Sequence, residues 1–202
     1  MIAIIDYDTG NTKNVAKALH AIGVENVLTS DAEVIRNADG LILPGVGAFP
    51  LAMEELRKRN LIDVLKEEVA NGKPLLGVCL GMQLLLEGSY EHSYTEGLGF
   101  IKGKCRAIPD KEGFPVPHMG WNELIITNKS PLTENLESKY VYFVHSYYAD
   151  CEKEYINAVA NYSIPVPAMI RNGNVYGAQF HPEKSSTVGL GILKKFKEVV
   201  YA

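Results

Sequence analysis

The sequence predicts an α/β fold, with a mostly parallel central sheet that helices cover on both faces. In the first half, near-continuous apolar runs of strand length alternate with segments of helical periodicity, which is typical of buried parallel strands joined by crossover helices. In the second half, strand-like runs follow one another with few helical patterns between them. The 202 residues are 47% hydrophobic and 22% charged, an ordinary composition for a globular domain, and we expect one domain spanning residues 1–202.

The strands of the first half are short apolar runs that end at turn-forming or acidic residues. They are predicted at residues 2–5, 24–28, 41–43 and 74–78. The first helix has an apolar face with i, i+3, i+4 spacing and ends at Gly23, and the second begins after Asp31, which can cap it. Further helices are predicted at residues 51–59, 61–71 and 80–87.

The second half is predicted to be mainly strands. These are expected at residues 121–127, 140–148, 156–162, 168–171 and 175–180. Asn172-Gly173 separates the last two, and this dipeptide between apolar runs predicts a hairpin. A final helix is predicted at residues 187–201, because its apolar residues recur on one helical face.

Charge and cysteine content exclude several classes of protein. The net charge of −4 provides no basic surplus to neutralise phosphates, which disfavours a nucleic-acid-binding protein. No targeting or membrane segment is visible, since the apolar stretch at residues 77–86 has about half the length of a membrane span. Three widely spaced cysteines fit neither a disulfide framework nor a metal site. We therefore expect a cytoplasmic protein without a bound metal.

A glycine-framed cysteine is the first candidate for chemistry. Gly77-Val78-Cys79-Leu80-Gly81 follows a predicted buried strand and opens a predicted helix, as in the nucleophile elbow of α/β hydrolases. The glycines permit a sharp turn that brings neighbouring backbone close, and the turn lifts the sulfur above the sheet. The alternative is a cysteine that is simply packed in the core. The flanking strand and helix favour the elbow.

A cysteine nucleophile needs a base, and His181 has the best context among the five histidines. It ends a predicted strand and precedes Pro182 and Glu183, and residues two apart in an extended chain point the same way. Glu183 can therefore orient the imidazole, as the third member of a triad does. The alternatives are a surface histidine beside a surface glutamate, or His145, which also ends an apolar strand. Cys105 and Cys151 lack framing glycines and are interpreted as structural.

A second glycine-containing turn, Pro44-Gly45-Val46-Gly47, follows another strand of the predicted parallel sheet. Its glycines allow unusual backbone angles, so its amides could face a substrate oxygen. The alternative is a plain strand-to-helix loop. No Gly-Lys-Ser/Thr follows, which excludes a P-loop, and Gly97-Leu98-Gly99 opens no helix and is not a dinucleotide fingerprint. No cofactor is expected.

The chain resembles the triad-type, or class I, glutamine amidotransferases. The segments that carry this resemblance are residues 43–49 (LPGVGAF), 77–83 (GVCLGMQ) and 179–183 (QFHPE). Three more segments are similar to the glutaminase subunits of imidazole glycerol phosphate synthases: residues 117–122 (PHMGWN), 142–147 (YFVHSY) and 184–186 (KSS). Asp8 departs from the family pattern, which often has glycine there, and this leaves only the conformation of the first turn open.

The resemblance implies a flavodoxin-like fold with a mixed central sheet, and hydrolysis of glutamine to glutamate and ammonia. It implies that Cys79 forms a thioester, that His181 moves the protons and that Glu183 orients His181. It assigns the oxyanion hole to the amides of Val46 and Leu80. For the substrate-binding groups it implies Gly47, Gln83, Glu91, Ser146 and Tyr147, and His145 then belongs to a glutamine-binding strand.

The resemblance also implies a partner. This is a (β/α)8-barrel cyclase that forms a heterodimer with the glutaminase and conducts the ammonia through its core. The products are imidazole glycerol phosphate and aminoimidazole carboxamide ribotide, in histidine biosynthesis. Trp121, Tyr142 and Lys184 are implied on the face that meets the barrel. By residue type alone, the aromatics could be core residues and the lysine a solvated one.

Two other functions remain open from the sequence. One is another triad glutaminase, such as the subunit of pyridoxal phosphate synthase, which pull-down of the partner would distinguish. The other is a flavodoxin-like binding module in which Cys79 is inert. Reactivity of the Cys79 thiol toward a glutamine-like electrophile separates that module from both enzymes.

Overall fold

The computed structural model describes residues 1–202, and its largest unit is an eight-stranded mixed sheet. In spatial order the strands are β2 (Asn26–Thr29), β1 (Ile2–Ile5), β3 (Gly40–Leu43), β4 (Leu75–Val78), β14 (Val175–Ala178), β13 (Pro165–Asn172), β12 (Ile156–Asn161) and β9 (Ile125–Ile126). The first five pair in parallel and the remaining pairs are antiparallel. This order of the parallel strands is that of flavodoxin-like folds.

Two smaller sheets and six helices complete the fold. A four-stranded sheet contains, in spatial order, β11 (Tyr147–Asp150), β7 (Ile101–Ala107), β5 (Leu86–Ser89) and β6 (Thr95–Glu96). A two-stranded antiparallel ribbon pairs β8 (His118–Glu123) with β10 (Tyr140–His145). The helices are α1 (Thr12–Ala21), α2 (Ala32–Asn37), α3 (Phe49–Lys58), α4 (Leu61–Ala70), α5 (Leu80–Leu84) and α6 (Ser186–Val200).

The central sheet has a hydrophobic core on each face, because successive residues of its buried strands point in opposite directions. Ala3 and Ile5 of β1 belong to the core covered by α2, α3 and α4. Ile2 and Ile4 belong to the core covered by α1 and α6. The predicted α/β fold with helices on both faces is confirmed. No helix combines the length and apolar character needed to cross a bilayer.

Several predicted elements agree closely with the structure. β1 has the predicted bounds, and Asp31 caps α2 by accepting a hydrogen bond from the Glu33 amide at 2.8 Å. The predicted hairpin is present, with Asn172 opposite Val175 and with Gly173 at a φ of 60°. These features depend on local sequence signals, and the sequence therefore predicts them well.

Three predicted elements continue past a point at which the structure ends or interrupts them. The helix predicted at residues 80–87 ends at Leu84, because residues 86–89 pair as strand β5 with β6 and β7. The strand predicted at residues 140–148 is interrupted at Ser146, since β10 and β11 belong to different sheets. The run at residues 121–127 likewise divides between β8 and β9. In each case partners distant in sequence override the local pattern.

Candidate active site

A cavity of about 360 Å³ opens where β3, β4 and β14 end and their connecting loops begin. Its wall is formed by Val46, Gly47, Cys79, Leu80, Gln83, Glu91, Pro117, Val144, His145, Ser146, Tyr147 and His181. Open α/β sheets bind ligands at this carboxyl edge of the strands. The cavity brings together all the residues expected from the sequence to be catalytic, oxyanion-hole or substrate-binding groups except Glu183, which contacts His181.

Cys79 lies in a strained turn between β4 and α5. Its φ is 56° and its ψ is −115°, a conformation that costs a non-glycine residue about 1–3 kcal/mol. A Cβ at Gly81 would lie 1.8 Å from the Leu43 carbonyl oxygen, and a Cβ at Gly77 would lie 2.6 Å from the Gly81 oxygen. Both glycines are therefore required by close backbone approach. The turn orients Cys79 into the cavity wall, where Sγ is 3.9 Å from the Val144 oxygen.

His181 and Glu183 form a buried pair. His181 Nδ1 is 2.7 Å from Glu183 Oε1, and both side chains are 1% exposed. Asn11 donates a hydrogen bond from Nδ2 to the same Glu183 oxygen. His181 Nε2 is buried without a hydrogen-bond partner, on the wall that it shares with Cys79. This nitrogen is therefore available to a reacting group.

The charge state of His181 follows from its neighbours. Burial alone would lower the pKa of His181, but interactions with Cys79 and Glu183 outweigh burial and raise the pKa to about 9. The imidazolium is thus the favoured form at pH 7.

His145, the rival base, has a different environment. Its Nδ1 is 2.8 Å from the Tyr147 carbonyl oxygen, and its Nε2 is 2.9 Å from Nδ1 of His118. Burial lowers the pKa of His145 to about 4, so the ring is neutral at pH 7. Both ring nitrogens are engaged, and His145 cannot take a proton from Cys79 without losing a hydrogen bond.

The cavity is also lined by polar groups that could bind a small ligand. Gln83 donates from Nε2 to the Tyr147 oxygen and to Gln179 Oε1, both at 3.1 Å. Its own Oε1 remains as an acceptor. Glu91 is buried, and its Oε2 accepts a hydrogen bond from the Phe49 amide at 2.9 Å. An amide oxygen and a carboxylate in one wall are suited to binding an ammonium group.

The two amides expected to form the oxyanion hole are both occupied. The Val46 amide donates to Thr9 Oγ1 at 3.0 Å, and the Leu80 amide donates to the Gly45 oxygen at 3.2 Å. The Gly45 oxygen and the Val46 N–H belong to the same peptide group. Rotation of this one peptide therefore breaks both hydrogen bonds, freeing the Leu80 amide and releasing the Val46 amide from Thr9.

The residues expected at a partner interface are close to one another on the ribbon and beside it. Trp121 is 54% exposed and lies opposite the half-buried Tyr142, with ring centroids 6.1 Å apart. Met119 on the same strand is also exposed. Lys184 is exposed and directly follows Glu183. Trp121 is therefore outside the hydrophobic core.

Sequence reasoning missed Thr9 and Asn11, two polar residues that contact the site. Both follow β1, whose carboxyl end lies beside that of β3. The order of the parallel strands could have drawn attention to them. Their partners, however, are 37 and 172 residues away, and the sequence gives no sign of these pairings.

The structure contains no group of three or more His, Cys, Asp or Glu residues that could hold a metal ion.

Comparisons of the chain with a protein family, with related sequences and with solved structures agree with one another. Residues 3–199 match the family Glutamine amidotransferase class-I. The chain is 63% identical over 202 residues to imidazole glycerol phosphate synthase subunit HisH of Listeria monocytogenes serotype 4a, covering 100% of this chain and 97% of that one. It is 60% identical over 201 residues to the subunit of the same name from Streptococcus sanguinis, with 100% and 97% covered. A crystal structure of a glutamine amidotransferase superposes with a TM-score of 0.79 at 20% identity, covering 100% of both chains.

Proposed function

Because this chain belongs to the class I glutamine amidotransferases, we propose that its cavity hydrolyses glutamine to glutamate and ammonia for an imidazole glycerol phosphate synthase. One observation carries the proposal: Cys79 in its strained turn shares the cavity wall with the unpartnered Nε2 of His181. The test is release of ammonia from glutamine by the purified chain, alone and with its cyclase partner and that partner's nucleotide ligand. The proposal fails if neither preparation releases ammonia.

The chemistry requires one nucleophile and one proton carrier. The Cys79 proton passes to Nε2 of His181, Sγ attacks the side-chain amide carbon of glutamine, and the carbonyl oxygen becomes an oxyanion. His181 gives its Nε2 proton to the departing nitrogen, which leaves as ammonia while the thioester forms. His181 then takes a proton from water, which attacks the thioester and releases glutamate and the sulfur. Glu183 keeps the ring oriented through Nδ1.

Substrate binding is assigned to the polar residues that line the cavity with Cys79 and His181. A cavity of about 360 Å³ is at the small end of ligand pockets and suits an amino acid. We assign the α-ammonium group of glutamine to Glu91 and to Oε1 of Gln83, because both are acceptors in a largely buried wall. Backbone groups of Gly47, Ser146 and Tyr147 complete the pocket. With the α-ammonium group held there, the side-chain amide is left to react with Cys79, which lines the same cavity.

The closed oxyanion hole supports a very low rate of glutamine hydrolysis by the isolated chain. With the Val46 amide bonded to Thr9 and the Leu80 amide bonded to Gly45, neither is available to a developing negative charge. One missing oxyanion donor costs about 10²–10³ in rate. Rotation of the Gly45–Val46 peptide supplies both donors without a large movement, so a partner contact near this loop can switch the enzyme on.

Thr9→Val should raise the glutamine hydrolysis rate of the isolated chain about 2- to 12-fold. The change keeps the side-chain shape and removes the acceptor of the Val46 amide, and a neutral hydrogen bond stabilises by about 0.5–1.5 kcal/mol. The rate of the fully activated complex should not change, because the contact is already broken there. The measurement is steady-state ammonia release.

Thr9→Ser is the matched control, because it keeps the hydroxyl and should keep the low basal rate. Equal basal rates for the valine and serine variants would contradict the role of Thr9. Gly45→Ala is a poor probe of the same rotation. A Cβ there would lie 2.5 Å from the Tyr7 hydroxyl oxygen, so the variant would disturb the fold around the loop.

The partner is proposed to be a (β/α)8-barrel cyclase that receives the ammonia in a one-to-one heterodimer. HisH relatives are named as subunits of a synthase, and this chain is 60–63% identical to those described above over its full length. The surface formed by Trp121, Met119, Tyr142 and Lys184 supports an interface next to the triad, because Lys184 directly follows Glu183. This identity favours the histidine-pathway enzyme over a pyridoxal phosphate synthase subunit. The three free cysteines are consistent with a cytoplasmic location.

Trp121→Ala should weaken association with the cyclase about 30-fold and leave the chain folded. An aromatic anchor contributes about 2 kcal/mol or more to an interface, and Trp121 is more than half exposed, so the core does not depend on it. Titration of the two subunits measures the dissociation constant, and thermal unfolding checks the fold. Tyr201→Ala is the control. Tyr201 is an exposed aromatic residue away from the cavity, and its hydroxyl oxygen accepts a hydrogen bond from the amino group of Met1. An unfolded Trp121→Ala chain, or unchanged affinity, would contradict the assignment.

A further inference from the structure

Two buried histidines, of which one lines the cavity, have no part in the proposed chemistry. His118 of β8 and His145 of β10 are directly opposite in the ribbon register and are 3% and 6% exposed. Nδ1 of His118 is 2.9 Å from Nε2 of His145. The His118 ring is stacked between Phe143 and Tyr162, with centroid distances of 4.7 and 4.2 Å. A histidine pair held this closely away from solvent needs a defined protonation pattern.

The two histidines belong to a series of hydrogen bonds that runs from Tyr147 to Asn122. Backbone groups at both ends of this series fix the direction of each hydrogen bond in it. The Tyr147 carbonyl can only accept, so His145 carries its proton on Nδ1, at 2.8 Å. Its Nε2 is then an acceptor, and Nδ1 of His118 must be the donor. Nε2 of His118 in turn accepts from Asn122 Nδ2 at 3.2 Å.

The amide of Asn122 cannot reverse this direction. Its Nδ2 also donates to the Asn161 oxygen at 2.9 Å, and its Oδ1 accepts from the Glu123 amide at 2.7 Å. A proton added to either histidine would therefore place two N–H groups against each other. Both rings stay neutral, in agreement with burial, which lowers the pKa of His118 and of His145 to about 4.

At one end of this series of hydrogen bonds is the carbonyl group of Tyr147, a residue that lines the substrate pocket. The Tyr147 oxygen accepts from His145 Nδ1 and also from Gln83 Nε2 at 3.1 Å. Gln83 uses its other amide hydrogen on Gln179 Oε1, so its two donors are fixed and its Oε1 is left as the acceptor. The orientation of Gln83 thus depends on the position of the Tyr147 carbonyl, and that position depends on His145.

We propose that His118, acting through His145, is a positioning residue that holds the Tyr147 carbonyl and the Gln83 side chain in the orientation that binds the glutamine substrate. The proposal rests on the proposed glutaminase function, because the ligand is that enzyme's substrate. His118 itself does not line the cavity and need not touch glutamine. Its loss should reduce glutamine affinity more than the rate at saturating glutamine.

The test measures glutamine affinity by calorimetry in the Cys79→Ala background, which cannot turn the substrate over. Adding His118→Phe should weaken binding about 10-fold, since phenylalanine keeps the ring stack but leaves Nε2 of His145 without its donor. Adding His118→Asn should weaken binding less, about 3-fold, because asparagine places an N–H near the position of Nδ1. Steady-state kinetics of the single variants in the cyclase complex should show the change in KM and little change in kcat.

A purely structural role predicts the opposite order. Phenylalanine preserves packing between Phe143 and Tyr162, whereas asparagine loses it, so thermal unfolding should rank His118→Phe as the more stable variant. If affinity follows stability, or if His118→Phe binds glutamine like the Cys79→Ala parent, the inference is wrong. If the wild-type complex does not hydrolyse glutamine, the proposed function has failed instead.

A second measurement does not depend on activity. Nitrogen NMR of histidine-labelled wild-type chain should show both rings neutral at pH 7, each with its proton on Nδ1. His118→Asn should leave the tautomer of His145 unchanged. An Nε2-protonated or charged form of either ring at pH 7 would contradict the inferred directions of these hydrogen bonds. It would also contradict the positioning role of His118.

Discussion

Cys79→Ala should reduce glutamine hydrolysis by roughly 10⁴-fold or more, whereas Cys105→Ala and Cys151→Ala should retain it. Cys79 is the cysteine that shares a cavity wall with His181, in a turn whose glycines admit no side chain. The other two thiols are held neutral. Burial raises the pKa of Cys105 well above its ordinary value, and burial with the charges of Asp150 and Glu152 raises that of Cys151 to about 12.

The measurement is ammonia release by the activated complex, together with thermal unfolding of each variant. Alanine at position 79 keeps the backbone strain that cysteine already has at a φ of 56°, so the fold should not be lost. Loss of activity with an intact fold identifies a chemical role. Near-normal hydrolysis by Cys79→Ala, or equal losses in all three cysteine variants, would contradict the assignment.

The sequence predicts the parts of the site that depend on local signals. Two glycines between an apolar strand and a helix predict the turn around Cys79, and both glycines are sterically required in the structure. Glu183 does contact His181, at 2.7 Å, but Pro182–Lys184 form a short 3-10 helix rather than the extended chain on which the expectation is based. The turn around Cys79 can be predicted because the steric limits that require its glycines act within five residues.

Contacts between distant segments could not be predicted in the same way. Asn11 is 172 residues from Glu183, and Thr9 is 37 residues from Val46. His118 and His145 lie in residues 117–122 and 142–147, but their hydrogen bond depends on the register of the β8–β10 ribbon. Side-chain patterns do not determine which polar residues of separate segments meet, because many pairings satisfy the same hydrophobic periodicity.

The helix predicted at residues 80–87 shows that secondary structure, too, can depend on contacts between distant segments. The apolar run there continues helical periodicity past Leu84, and a Cβ at Gly88 would lie 2.5 Å from the Tyr94 hydroxyl oxygen. The close approach arises because β5 pairs with β6, which is not evident from the run itself. Glu91, expected to bind substrate, follows this strand, so the error in the element did not displace the residue from the cavity.

His181→Ala should lose nearly all acylation of Cys79, at least about 10³-fold, while His145→Ala should mainly weaken glutamine binding. The reason is the different use of their ring nitrogens. His181 leaves Nε2 without a partner beside Cys79, and His145 has both nitrogens engaged, one of them with the carbonyl that orients Gln83. Single-turnover formation of the thioester, measured at saturating glutamine, separates chemistry from binding. Equal loss of acylation in both variants at unchanged glutamine affinity would contradict this division.

The pH dependence of acylation gives a second test of His181. Since interactions with Cys79 and Glu183 raise the pKa of His181 to about 9, the imidazolium persists through neutral pH and is lost as pH rises through about 9. Above that pH no proton is available for the departing ammonia, so the acylation rate should fall. Glu183→Gln removes one cause of the raised pKa, and the fall should begin at lower pH, with a smaller loss at pH 7 than in His181→Ala. A Glu183→Gln profile that superposes on the wild-type profile would show that Glu183 does not act through the imidazole, and a wild-type rate that keeps rising beyond pH 9 would exclude the imidazolium as the proton donor.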